Sequence, residues 1–246
     1  MSEFEPSQRF VVTGASSGIG EAVALMLNKK GASVVCIGRD ADRLEALKHK
    51  AAFPANVVIE QKDLIEQIDA LPDYMKSLKD KYGKFQGVAC CAGITELCPL
   101  RALDFDLMKK VFDINYYVPI FMAKGFADRR VNTGKGASFV SIASIAFSHP
   151  AKAVITYSGS KAALVSSMVA IAKEFAPSGI RFNTVSPSDI ETPMTENIQD
   201  IMDKVREFYP MGFGNPDDVA AVVTFLLSGE SKWITAQNYI VDCASR

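Results

Sequence analysis

Short apolar runs rich in β-branched residues alternate with longer amphipathic stretches along the whole chain, and this alternation restricts the fold more than any other feature. The first run, at 9–13, leads into a helical pattern at 18–30 and then into a second apolar run at 33–37. Continuously apolar strands are typical of a parallel sheet that is buried on both faces, and parallel strands need helical crossovers. The alternation therefore predicts an α/β fold, with a Rossmann-like, doubly wound parallel sheet of about seven strands flanked by helices.

The same rhythm continues to the end of the chain. Further strands are predicted at 56–60, 87–91, 137–142, 180–185 and 239–241. Further helices are predicted at 40–50, 64–82, 153–175 and 216–227, together with a long helix that reaches Arg130. At 246 residues, with no segment polar or repetitive enough to be a linker, the chain is within the size range of one α/β domain. We therefore expect residues 1–246 to form a single domain.

Charge and composition exclude several classes of partner. Lys and Arg total 27 against 28 Asp and Glu, so there is no basic field of the kind that attracts nucleic acid or anionic lipid. No apolar run approaches the roughly 18 residues of a spanning helix, and the first residues lack the profile of a signal peptide. The five cysteines do not resemble a secreted disulfide framework. We expect a cytoplasmic protein with reduced thiols that acts on a small molecule, with neither nucleic acid nor membrane as partner.

A glycine pattern of the form G-x-x-x-G-x-G marks the junction between the first predicted strand and the first predicted helix. Glycine lets the backbone approach a pyrophosphate closely, and the free amides at a helix start favour its negative charge. A tight turn without a ligand would use the same glycines, so both interpretations stay open on this motif alone. The residues that we expect to contact a dinucleotide are Gly14, Ser16, Ser17, Gly18, Ile19 and Gly20.

The end of the second predicted strand indicates which dinucleotide is bound. An NAD enzyme places an acidic residue there for the ribose 2′-hydroxyl, whereas this chain has Gly38 and Arg39. A guanidinium pairs with a 2′-phosphate, so the sequence favours NADP(H) over NAD. Asp40, the next residue, is an acidic candidate for the ribose contact, but its surroundings are typical of a helix cap. Asp63, after the third strand, is expected either to bind the adenine amino group or to be an ordinary loop aspartate.

Tyr157 and Lys161 are four residues apart in a predicted helix and therefore share one of its faces. A free tyrosine keeps its proton up to a pH of about 10, and a nearby positive charge stabilises the phenolate and lowers that pKa. Such a pair is suited to proton transfer. Taken alone, the pair is also common on solvated helix faces, so its meaning depends on the rest of the chain.

These motifs occur in the order and spacing of a known family. The turn at 13–20, Asn115, Ser144 and the Tyr157-x-x-x-Lys161 pair resemble the short-chain dehydrogenase/reductase family, and the resemblance covers nearly the whole chain. The stretches at 179–187, 191–194 and 225–228 resemble this family too. The resemblance implies that Ser144 polarises the substrate oxygen and that Tyr157 transfers the proton. Lys161 would lower the pKa of the tyrosine and bind the nicotinamide ribose, and Asn115 would hold a water of the proton relay.

The resemblance also implies further cofactor contacts, which are Ala92, Gly93, Pro187, Ile190 and Thr192. Of these, Thr192 would reach the nicotinamide carboxamide. Without the resemblance, Ser144 would be interpreted as a helix cap, and Asn115 as an interior polar residue bonded to local backbone.

Two departures from the family pattern affect the predicted site. Cys90 and Cys91 replace two asparagines, and we expect these thiols to point to opposite faces of their strand and to behave as small apolar groups. Ser188 replaces a glycine, which affects the shape of the substrate loop. His149 lies between Ser144 and Tyr157, where it either binds substrate or has a structural role. No spaced set of His, Cys or carboxylate residues suggests a metal.

The predicted activity is hydride transfer between NADP(H) and a carbonyl or alcohol, with the nicotinamide supplying the redox chemistry. The chain resembles the 3-oxoacyl-(acyl-carrier-protein) reductases in length and layout, so a 3-oxoacyl thioester is one expected substrate, and a sugar or small hydroxy compound is the alternative. A protein that senses a dinucleotide without catalysis is the rival from another class. The long helices are apolar on more than one face, and the resemblance implies that they pair in a homodimer or homotetramer.

Overall fold

The structure, a computed structural model, describes residues 4–192 and 206–245. Within these residues, seven strands form one parallel sheet in the order β3-β2-β1-β4-β5-β6-β7. Strands β1 to β7 span Arg9–Thr13, Ser33–Gly38, Val57–Gln61, Gly87–Cys90, Ser138–Ile142, Arg181–Pro187 and Asn238–Val241. The predicted doubly wound α/β fold is confirmed, and the strand ends differ from the predicted ones by two residues or fewer.

Helices cover both faces of the sheet. In the described ranges, helices α1 to α7 span Gly18–Lys29, Ala41–Lys50, Leu71–Tyr82, Phe105–Phe112, Val118–Ala127, Ile155–Phe175 and Pro216–Leu227. The core on one face joins α1, α2 and α7 to side chains such as Phe10 and Val12 of β1. The core on the other face joins α3, α5 and α6 to side chains such as Val11. Successive residues of a strand point to opposite faces, which is why a continuously apolar strand fills two cores at once.

Two helices begin later than the sequence pattern predicts. Helix α3 begins at Leu71 rather than near residue 64, because Pro72 fits the first turn of a helix but not its interior. Helix α6 begins at Ile155 rather than at Ala153, because Ala153 adopts a left-handed φ of 65° that an α-helix cannot contain.

The long helix predicted up to Arg130 is interrupted and ends early. A π-helical turn at Asp113–Tyr117 separates α4 from α5, and α5 ends at Ala127. There the Asp128 carboxylate accepts the Arg130 amide at 2.9 Å, a local bond that competes with further helix. The π-turn places Asn115 in the interior, where its side chain is 1% exposed.

The functional crevice follows from the strand order. Strand β1 leads to α1 on one face, whereas β4 leads to α4 and α5 on the other, so a crevice opens at the carboxyl ends of these two adjacent strands. The Thr13 hydroxyl oxygen ties the two strand ends together, since it accepts the amides of Cys91 and Ala92 at 3.2 Å each. In the described part of the chain, no helix combines the length and apolar character that a bilayer crossing demands.

Candidate active site

A cavity of about 800 Å³ lies at the carboxyl edge of the sheet. This volume is within the range of pockets that hold small molecules and cofactors. The predicted site residues on its wall are Gly14, Ser16, Ser17, Gly18, Ile19, Gly20, Arg39, Asp63, Ala92, Gly93, Ser144, Tyr157, Lys161, Pro187, Ile190 and Thr192. Asn115 lies behind the wall. Of the family-like stretch at 191–194, residues 193 and 194 lie outside the described residues.

At Gly14 the glycine turn lies too close to neighbouring backbone to accept a side chain. Gly14 has a left-handed φ of 66°, and a Cβ atom there would lie 2.8 Å from the Ala92 amide nitrogen. Ser17 is the N-cap residue of α1, and its side chain makes no capping hydrogen bond. The first amides of a helix have no partner within the helix, so they attract an anion. The turn therefore fits the pyrophosphate of a dinucleotide.

Arg39 and Asp63 lie at one end of the cavity. The Arg39 guanidinium is 71% exposed, and its Nη1 lies 3.9 Å from Asp63 Oδ2. Asp63 Oδ1 accepts the Ile65 amide at 3.2 Å, as an ordinary loop aspartate does. An exposed ion pair of this kind is worth only about 0–1 kcal/mol. Asp63 therefore competes weakly with a phosphate group for Arg39.

Asp40, the other acidic candidate at this end of the cavity, is a helix cap. Its Oδ1 accepts the Arg43 amide at 3.0 Å at the start of α2, and its Oδ2 lies 3.3 Å from Arg43 Nε. The cavity wall includes Gly38 and Arg39 but not Asp40. The interpretation of Asp40 as a cap is therefore confirmed.

Tyr157 and Lys161 lie one turn apart on α6 and both reach the cavity. Lys161 Nζ lies 5.7 Å from the centre of the Tyr157 ring and donates to the Ile142 carbonyl oxygen at 2.8 Å. Its side chain is 4% exposed, and burial lowers its pKa to about 8. An ammonium group in these surroundings keeps its charge below that pH.

Ser144 follows β5 and faces Tyr157. Its hydroxyl oxygen accepts the Ala146 amide at 3.2 Å and so caps a short turn. Ser144 is therefore a cap, and it also lies close to Tyr157. The pKa of Tyr157 lies above its usual value, because burial raises it more than the hydrogen bond with Ser144 lowers it. The family resemblance implies a lowered pKa, whereas burial, together with the negative charge of Asp189, raises the pKa of Tyr157 here.

Asn115 lies behind the cavity wall and holds parts of it together by hydrogen bonds. Its Oδ1 accepts the Ile94 amide and its Nδ2 donates to the Ile94 carbonyl oxygen, each at 2.9 Å. Nδ2 also lies 3.3 Å from Ser160 Oγ on α6. The side chain thus joins the loop after β4 to the helix that carries Tyr157. The sequence-based alternative of a bond to local backbone is wrong, because Ile94 is remote in sequence.

The cysteine pair behaves as its strand geometry predicts. Cys90 packs in the core beneath α3, α5 and α6, whereas Cys91 packs against the core on the opposite face. Burial raises the pKa of Cys90 to about 12 and also raises the pKa of Cys91. Both thiols are therefore protonated and chemically quiet at neutral pH.

His149, for which substrate binding and a structural role both stayed open, lines the cavity, and its Nδ1 lies 2.9 Å from Ser148 Oγ. Two further cavity residues were not predicted: Asp189 and Tyr209 line the cavity and are joined by a hydrogen bond of 2.6 Å. Asp189 lies just past the end of β6, so the rule that ligands bind at the carboxyl edge would have indicated it. In the ranges 4–192 and 206–245, no group of three or more His, Cys, Asp or Glu side chains is placed to hold a metal ion.

A parallel sheet with a glycine turn at its switch point defines the class of Rossmann-type dinucleotide-binding proteins, and a tyrosine and lysine in the same cavity point to oxidoreductases of that class. A family model described as enoyl-(acyl carrier protein) reductase matches residues 14–243. The chain belongs to the short-chain dehydrogenase/reductase family, and it is an oxidoreductase.

Individual relatives agree with this assignment. The 3-oxoacyl-(acyl-carrier-protein) reductase of Thermotoga maritima is 31% identical, with 94% of this chain and 95% of that protein covered. An NAD-dependent glycerol dehydrogenase of Listeria innocua is 32% identical, with 94% of this chain and 91% of that protein covered. A short-chain dehydrogenase of Burkholderia cenocepacia, solved in complex with NADP, superposes with a TM-score of 0.90 at 27% identity and 99% coverage of each chain.

Proposed function

We propose that this protein is an NADP(H)-dependent carbonyl reductase or alcohol dehydrogenase, and that residues 1–246 act as one dinucleotide-binding domain. The observation that carries the proposal is the convergence of Ser144, Tyr157 and Lys161 on a cavity that begins at the glycine turn. The dinucleotide supplies the hydride. The chain supplies orientation and proton transfer.

The proposed roles follow from the geometry. Ser144 donates a hydrogen bond to the substrate oxygen, and Tyr157 gives that oxygen a proton. The Tyr157 phenol is protonated at neutral pH and so holds the proton that reduction needs, while burial, which raises its pKa, makes it a weaker acid. Lys161 then stabilises the phenolate, since its pKa of about 8 keeps the ammonium charged at pH 7. Asn115 supports this arrangement by holding the loop that follows β4.

Two substrate classes have support. The Thermotoga maritima relative reduces a 3-oxoacyl group on a carrier protein by its name, which favours a 3-oxoacyl thioester. The Listeria innocua relative is named for glycerol, and the carboxylate of Asp189 in the cavity favours a hydroxyl-bearing compound. A turnover screen of both classes with NADPH and NADH would decide between them. Binding of the dinucleotide without turnover of either class would support the non-catalytic alternative instead.

Cofactor choice is expected to depend on Arg39. The change Arg39→Asp removes a guanidinium from the cavity wall and places a negative charge there. We expect NADPH binding to weaken by about 10- to 150-fold, the value of a charged hydrogen bond, while NADH binding changes little. Both reduced cofactors are titrated by nicotinamide fluorescence at one fixed salt concentration, because salt weakens the ionic contribution.

The matched control for Arg39 is Arg43→Asp, because Arg43 is an exposed arginine on α2 that pairs with Asp40 and lies outside the cavity wall. This variant is expected to bind both cofactors as the unmodified chain does. If the unmodified chain binds NADH as tightly as NADPH, Arg39 does not recognise the phosphate.

We also propose a homodimer or homotetramer that resides in the cytoplasm, where free thiols such as Cys36 persist. Exposed apolar side chains support assembly: Phe105, the first residue of α4, is 77% exposed, and Trp233, which precedes β7, is 96% exposed. Light scattering is expected to give at least twice the chain mass of 26.7 kDa. Phe105→Glu and Trp233→Glu are expected to reduce that mass, and His49→Glu, on exposed α2 surface, is not. A monomer at micromolar concentration would contradict assembly.

A further inference from the structure

Asp189 is an acidic residue in the cavity that takes no part in the proton-transfer roles above, although its carboxylate favours a hydroxyl-bearing compound. It lies two residues beyond the end of β6, on the same cavity wall as Ser144 and Tyr157. Among the described residues, no ion pair balances its charge. Because Asp189 lines the cavity, a ligand bound there can meet its carboxylate.

The carboxylate of Asp189 is held in a fixed orientation. The Tyr209 hydroxyl donates to its Oδ2 at 2.6 Å, and Tyr209 is itself 9% exposed with its ring 4.7 Å from that of Phe213. The backbone on either side is also tied down. The Ser188 amide donates to the Val241 carbonyl oxygen at 3.0 Å, and the Glu191 amide donates to the Gly214 carbonyl oxygen at 2.9 Å.

The charge of Asp189 reaches the reacting end of the cavity. It raises the pKa of Tyr157, and together with burial and the hydrogen bond it raises the pKa of Tyr209 to about 12. The strand order supports this proximity: β5 and β6 are adjacent with Ile142 opposite Val185, so the loops that carry Ser144 and Asp189 leave the sheet side by side and line the same cavity as Tyr157. Oδ1 of Asp189 has no hydrogen-bond partner in the described part of the chain, so one oxygen is available to a ligand.

An ionised carboxylate accepts hydrogen bonds and donates none. It favours a ligand hydroxyl group, and it repels a ligand carboxylate. We propose that Asp189 is a specificity-determining residue that selects ketones with a hydroxyl group next to the carbonyl, and the corresponding vicinal diols in the reverse direction. This inference depends on the carbonyl reductase function proposed above. Tyr209 acts as the positioning residue that orients the carboxylate.

The direct test compares a pair of ketones that differ by one hydroxyl group, 1-hydroxy-2-butanone and 2-butanone. With NADPH, kcat/KM of the unmodified protein is expected to favour the hydroxyketone by about 10- to 150-fold, the value of a charged hydrogen bond. Asp189→Leu is expected to abolish this preference. Asp189→Asn keeps an acceptor of the same shape without the charge, so it is expected to retain a smaller preference, because neutral hydrogen bonds are roughly half as strong.

A second readout does not depend on turnover. Tyrosinate absorbance is followed during an alkaline titration, and the difference between the unmodified protein and Tyr157→Phe isolates Tyr157. Asp189→Asn is expected to move the pKa of Tyr157 downward, because it removes a negative charge and leaves the shape unchanged. The other titratable groups on the cavity wall include Lys161, Cys91, His149, Lys152 and Tyr209. Because Asp189 also affects the pKa of Tyr209, the Tyr157→Phe difference is taken in both the unmodified and the Asp189→Asn backgrounds.

The outcomes separate the two proposals. If neither ketone nor a 3-oxoacyl thioester is reduced with NADPH or NADH, the carbonyl reductase function is overturned, and the selection by Asp189 with it. If ketones are reduced but the unmodified protein and Asp189→Leu show the same preference, the role of Asp189 is overturned and the function stands. An unchanged pKa of Tyr157 in Asp189→Asn also overturns it, because the carboxylate then does not act at the reacting end.

Discussion

Replacing Tyr157 with Phe is expected to lower turnover by about 10²- to 10⁴-fold, the usual contribution of a general acid. The change removes one hydroxyl group and keeps the ring, so the packing of α6 and the position of Lys161 are preserved. NADPH affinity is expected to stay nearly unchanged. Turnover is measured as NADPH oxidation with the best substrate of the screen, and affinity is measured by nicotinamide fluorescence.

Tyr116→Phe is the matched control for Tyr157. It also removes a single phenolic hydroxyl, one that lies 3.1 Å from Ser167 Oγ and outside the cavity wall. Its turnover is expected to stay close to that of the unmodified protein. Near-normal turnover in Tyr157→Phe would show that another group donates the proton. Equal losses in both variants would point to disturbed packing rather than to acid catalysis.

The parts of the fold that could be predicted depend on local repetition. Strands such as β1 are identified by apolar residues that fill both cores, and α1 is identified by the glycine turn that precedes it. The start of α6 was misplaced because Ala153 has good helix propensity, yet it adopts a left-handed φ of 65°. That conformation is imposed by the surrounding loop, where the Cys98 amide donates to the Ala153 carbonyl oxygen at 2.7 Å. Such a bond has no signal in a sequence window.

The residues of the cavity wall could be predicted because they belong to short local motifs. The contacts between these residues could not be predicted. The glycine turn and the Tyr157-Lys161 pair are short motifs whose spacing alone places them on one surface. The bond between Asp189 and Tyr209 joins segments that are 20 residues apart, and Asn115 reaches Ile94 across 21 residues. These pairs form only when the sheet brings strand ends together. Their energetic consequences, including the raised pKa of Tyr157, follow from burial that only the folded chain defines.

The largest effect on cofactor binding is expected from Gly20→Ala. Gly20 is buried in the first turn of α1, and a Cβ atom there would overlap the Gly14 carbonyl oxygen and lie 2.6 Å from the Gly14 carbonyl carbon. Because both partners are backbone, the contact is relieved only if the turn and the helix separate. Overpacking of this kind lowers the free energy of unfolding by about 3 kcal/mol, the upper end of its usual range. This loss corresponds to a fall in Tm of about 6–12 °C for a chain of this size.

The same separation moves the helix amides away from the pyrophosphate, so NADPH affinity is expected to fall by about 100-fold or more, the equivalent of two charged hydrogen bonds. Thermal unfolding with and without NADPH measures both effects, since at a fixed concentration a tighter ligand raises Tm more, with the logarithm of its affinity. Gly229→Ala is the control, because no atom lies within 4 Å of a Cβ placed there. If Gly20→Ala is stabilised by NADPH as strongly as the control is, the glycine turn does not hold the pyrophosphate, and the dinucleotide binds elsewhere in the cavity.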